Sequence, residues 1–83
     1  MGVEMSKYKF TYKRRTGDIV YGDAYSTMAV GTIAYYRKAP TWAKGNKYVV
    51  NVSWASEWLS AFRTQQEARA FLEQRFTETF LGG

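Results

Sequence analysis

The chain has 83 residues, which leave room for one hydrophobic core and no second domain. It contains no His and no Cys, which removes the commonest general base, the thiol nucleophile, disulfides and thiolate-bound zinc. The net charge of +5 is uneven: nine Lys and Arg against three acidic side chains through residue 50 leave +6, and three Arg against four Glu beyond it leave −1.

In chain order, residues 7–13 alternate with period two. Tyr8, Phe10 and Tyr12 share one face, and Lys7, Lys9, Thr11 and Lys13 share the other, which predicts a half-buried strand. Arg14 to Gly17 reads as a turn, with Gly17 free to take positive φ. Asp18 to Tyr25 then returns as the second strand of a hairpin.

Residues 26–38 carry two competing patterns. Ser26 or Thr27 can cap a helix, Met28, Val30, Gly31, Ile33, Ala34 and Tyr35 can pack one side of it, and Ala39-Pro40 would end it. Against this, Val30, Thr32, Ile33, Tyr35 and Tyr36 are β-branched or aromatic, and Gly31 disfavours a helix interior. A strand over 29–37 is the competitor.

Residues 39–46 read as a loop, and Lys47 to Trp54 as a strand with Tyr48, Val50, Val52 and Trp54 on one face. Ala55-Ser56 turns, and Glu57 to Phe62 returns. Thr64 followed by Glu67 is a capping box, and Ala68, Phe71, Leu72 and Phe76 fall on one helical face behind it.

An echo in spacing decides for the helix over 27–38. Tyr21, Tyr25, Thr27, Gly31 and Tyr35 are spaced as Trp58, Phe62, Thr64, Ala68 and Leu72 are. The expected fold is therefore α+β: an antiparallel sheet with helices on one face, built as tandem ββα-ββα units over 7–38 and 47–79. The alternative is a five-stranded antiparallel sheet plus one C-terminal helix. The tandem plan is similar to that of the YegP type of bacterial domain, a likeness of architecture that implies no activity.

The segment from Trp58 to Phe71, Trp-Leu-Ser-Ala-Phe-Arg-Thr-Gln-Gln-Glu-Ala-Arg-Ala-Phe, resembles the last strand and helix of the APETALA-type DNA-binding domain and of phage integrase arm-binding domains. It departs from them at Ser60-Ala61, where Gly is usual, and at Arg63, where Asp is common. The resemblance implies a sheet whose open face enters the DNA major groove.

Catalysis has no support in the sequence. The seven carboxylates are scattered, and there is no phosphate-cradling glycine loop. No cofactor and no metal site is implied. Binding is the expected activity, through a sheet face carrying Lys7, Lys9, Lys13, Lys47 and Asn51, and a basic loop with Arg37, Lys38 and Lys44 around Trp42. Trp58 completes the candidate set. Cations on such a face meet phosphates, and an exposed Trp stacks on an unpaired base. The same lysines also keep an edge strand from pairing with other chains.

The first reading is a nucleic-acid-binding accessory domain of phage or mobile-element type, with DNA ahead of RNA. The second is a protein-interaction module, such as a phage-encoded inhibitor of a host protein complex. A homodimer is admitted and a membrane partner is not, because no stretch is apolar enough to span a bilayer. No signal-peptide core is present, and a cytoplasmic location is expected. Met1 to Ser6 fits a loose myristoylation pattern, but residues 1–6 read better as a flexible leader, with the stretch before Met5 spurious or engineered. Residues 80–83 read as a flexible tail.

Overall fold

A computed structural model describes residues 8–54 and 59–82; the expected leader, Lys7, Trp58, the turn at Ala55-Ser56 and the last residue of the tail lie outside the described residues. Five strands form one antiparallel sheet in sequence order: β1 (Lys9–Lys13), β2 (Asp18–Gly22), β3 (Thr27–Tyr35), β4 (Tyr48–Val52) and β5 (Leu59–Phe62). One helix, α1 (Gln65–Phe80), follows and packs across β3, β4 and β5. This is the five-stranded alternative, and the tandem ββα arrangement is corrected by it.

The correction rests on residues 27–38, where a strand replaces the expected helix. Its β-branched and aromatic side chains suit a pleated surface flanked on both sides. β3 pairs with β2 along one edge and with β4 along the other. An irregularity explains why the alternation is hard to see. Ile19 lies opposite Gly31, but Val20 lies opposite Ala29, so Val30 is an extra residue in a bulge. Val30, Gly31 and Ile33 are all buried as a result. That spacing imitates one face of a helix.

The other elements form near where their patterns put them. β2 ends at Gly22 and not Tyr25, because the Asp23 carboxylate fastens a turn there. β4 is confined to Tyr48–Val52, and α1 runs on to Phe80, into the expected tail. β1 alternates between exposed and half-buried positions, with Phe10 and Tyr12 inward and Lys9, Thr11 and Lys13 outward. The turn after it closes through Gly17 N–H donating to the Lys13 carbonyl at 2.8 Å, with Gly17 at φ 82°. Thr64 caps α1, its hydroxyl accepting from the Glu67 amide at 3.1 Å.

The core lies between the sheet and α1. Ile19, Val30, Ile33, Val50 and Val52 from the strands meet Ala68, Leu72 and Phe76 from the helix. Phe76 is the hub, with the rings of Phe10, Tyr21, Trp54 and Phe80 packed 4.9–5.8 Å from its own. Aromatic payload of this kind lets a short chain bury enough apolar area to fold. Phe71 is half-buried and packs against Phe62 at 5.1 Å, so all four expected helix positions face inward.

Candidate functional site

In an antiparallel meander, alternate connections share an end of the sheet. The β1–β2 turn, the β3–β4 loop and the β5–α1 junction therefore lie at one end. These three connections carry Arg14 and Arg15, then Arg37, Lys38, Lys44 and Lys47, then Arg63, all exposed. The N-terminus of α1 lies at the same end and adds its own partial positive charge. The β2–β3 turn, with Asp23, and the C-terminal half of α1, with Glu73 and Glu78, lie toward the other end. Asp18 and Glu67 also lie at the basic end, and Lys9 and Arg75 toward the other, so among the described residues the excess of cations sits at the first end.

The β3–β4 loop builds the centre of the basic end. Tyr36 N–H donates to the Lys47 carbonyl at 2.8 Å, which closes the loop's base. Pro40 then leads into a single 3-10 turn over Thr41–Ala43, closed by the Ala43 amide donating to the Pro40 carbonyl at 3.0 Å. Ala43 is the residue this turn buries, whereas Trp42 stays 50% exposed. Tyr36 is also exposed, so two aromatic side chains stand among four cations of this loop.

The face away from α1 is less open than its residue types imply. Val49 points to that side, between Ala34 and Ala61, yet it is only 6% exposed. The 3-10 turn lies against β5, the strand that pairs with Val49. Next to this covered part runs a polar row in register: Lys13, Asp18, Thr32 and Asn51. Asp18 accepts from the Thr16 hydroxyl at 2.7 Å and from the Thr32 hydroxyl at 2.9 Å. Those two donors hold its carboxyl below the usual aspartate range. A fixed anion therefore stands beside Lys13, where the face meets the basic end.

Of the candidate residues, Lys9, Lys13 and Asn51 lie exposed on the face away from α1, and Arg37, Lys38, Trp42, Lys44 and Lys47 lie at the basic end. Lys13 stands where the two meet. Arg14, Arg15, Arg63 and Tyr36 belong with the basic end and were not among the candidates. The signal for them is the parity of the connections, which appears only once 27–38 is a strand. Arg69 and Arg75 are engaged elsewhere, over the rings of Tyr12 at 5.0 Å and Phe71 at 5.6 Å. Among the described residues no three acidic side chains cluster closely enough to hold a metal ion.

No protein family, curated protein or solved structure matches the chain.

Proposed function

We propose that the chain is a non-catalytic nucleic-acid-binding protein that grips backbone phosphates with its basic end. The observation that carries this reading is the gathering of seven cations from three separate connections at one end of the sheet, around the exposed rings of Trp42 and Tyr36. Cations neutralise phosphates without regard to sequence, and exposed rings supply stacking that every base accepts. The basic end supports this better than the face away from α1, where Lys9 and Lys13 are the exposed cations among the described residues. DNA is the favoured polymer and the cytoplasm the favoured setting, in keeping with a phage or mobile-element accessory protein. Among the described residues no helix is long and apolar enough to cross a membrane.

A second reading, a protein-interaction module, has support at the opposite end. Tyr25, Met28, Phe80 and Leu81 are exposed there, and large apolar side chains of this kind form interface anchors. Recovering partners from a lysate with and without nuclease separates the two readings. Nucleic acid that is retained, and protein that is lost on digestion, supports the first. One protein retained after digestion, with no oligonucleotide binding tighter than about 10⁻⁴ M near physiological salt, replaces it with the second.

A further inference from the structure

The face away from α1 carries a recess of about 560 Å³ at the end opposite the basic cluster. Its origin is visible in the register. Lys9, Gly22 and Thr27 lie side by side on β1, β2 and β3, and the middle one has no side chain. Gly22 is required by the turn that follows, because a Cβ there would overlap the Ser26 carbonyl. The missing side chain leaves a notch walled by Lys9, Thr11 and Thr27.

The turn supplies the far wall. Asp23 Oδ1 accepts from the amides of Tyr25 and Ser26, each at 2.9 Å, and the Asp23 amide donates to the Ser26 carbonyl at 3.1 Å. This short, doubly fastened turn raises Tyr25 away from the sheet, leaving it 94% exposed. A Tyr so exposed has no packing role to explain it. The notch thus combines the exposed Tyr25 ring, the Lys9 cation, two hydroxyls and the Asp23 carboxylate, whose Oδ1 is occupied by the two turn amides, in a volume within the usual range for small-ligand sites.

We infer that this notch is a subsite for one unstacked nucleotide, with the base against the Tyr25 ring and the phosphate at Lys9. The inference rests on the nucleic-acid reading and extends it to single strands, because a base locked in a duplex cannot enter the notch. β1 connects the two regions: its outward Lys13 stands at the basic end and its outward Lys9 at the notch. A strand held at the basic end therefore passes along β1 to reach Tyr25.

The test measures affinity of the full chain for a short single-stranded oligonucleotide and for a duplex, over a salt series, in wild type, Tyr25→Ala, Tyr25→Phe and Lys9→Ala. Tyr25→Ala should lower single-strand affinity by about 5- to 150-fold, the stacking contribution of one base, and leave duplex affinity unchanged. Tyr25→Phe should keep the wild-type value. Lys9→Ala should reduce the single-strand salt slope by roughly one contact. The exposure of Tyr25 means that its loss should not unfold the chain, which a thermal melt checks. If Tyr25→Ala binds single strands as wild type does, or weakens both polymers alike, the subsite is overturned while the basic end stands. If wild type binds neither polymer, both readings fall.

Discussion

Gly31 in β3 and Leu72 in α1 meet where the helix crosses the middle of the sheet. A Cβ on Gly31 would lie 2.7 Å from Leu72 Cδ2 and 2.6 Å from the Asn51 carbonyl oxygen. The helix therefore approaches the sheet as closely as it does because one strand residue has no side chain, and Leu72, fully buried, occupies that space.

Gly31→Ala should accordingly destabilise the chain by about 1–3 kcal/mol through overpacking. Shortening Leu72 relieves only half of the problem, since the Asn51 carbonyl is part of the backbone. The double variant Gly31→Ala with Leu72→Ala should thus be less destabilised than the sum of the two singles, yet no more stable than Leu72→Ala alone. Urea unfolding of the four proteins measures this. Strict additivity would mean that the two residues do not share a contact.

The two ends of α1's contribution can be separated in the same way. Thr64→Ala removes the hydroxyl that accepts from the Glu67 amide and should cost about 1 kcal/mol. Leu72→Ala empties a fully buried position and should cost on the order of 2–5 kcal/mol. Comparable small losses in both would place α1 off the sheet.

The same Gly31 shows how far the sequence could be read. The spacing echo aligns it with Ala68, inside a helix that packs on the sheet. A helix does near the sheet there, but Gly31 belongs to the strand and Leu72 to the helix. The bulge at Val30 is what misleads, because it shifts the inward positions of β3 by one residue and breaks the period of two. Local elements with unbroken periods, β1 and α1, were legible apart from their ends: Tyr8 lies exposed ahead of β1, and α1 runs on to Phe80. The site was legible only as residue types. Which cations share an end depends on the number of strands between them, and one misassigned element changes that parity.

Acid should weaken the chain partly through Asp18. The Thr16 and Thr32 hydroxyls lower its carboxyl below the ordinary aspartate value in the folded chain. Its ionised form therefore adds stability above that ordinary value, about pH 3.9, and the contribution vanishes as pH falls through the lower folded value. Asp18→Asn should lose stability near neutral pH and show a flatter loss below about pH 4. The effect is small, since Asp18 lies toward solvent. Unfolding midpoints that fall in parallel for both proteins would assign the acid sensitivity to other groups.

The functional reading makes its sharpest prediction at the β3–β4 loop. If this end grips phosphates, each contact releases counterions, and log K should fall with log salt at a slope near −0.9 for each duplex phosphate contacted. Arg37→Ala with Lys38→Ala removes two exposed cations beside Trp42 and should reduce the magnitude of that slope by about two units, weakening all duplex sequences alike. Trp42→Ala should behave differently. Its ring is half exposed and releases few ions, so affinity for single strands should drop while the slope holds. Asn51→Ala, across Thr32 from Asp18 on the face away from α1, should change neither. The contrast matters more than any one value, because a merely solubilising surface would give no saturable binding for any variant to alter. Fluorescence anisotropy with labelled single- and double-stranded oligonucleotides measures all four proteins. A salt slope unchanged in the Arg37 and Lys38 variant, with binding intact, would take the phosphate contacts off these two residues and overturn the β3–β4 loop as the centre of the grip.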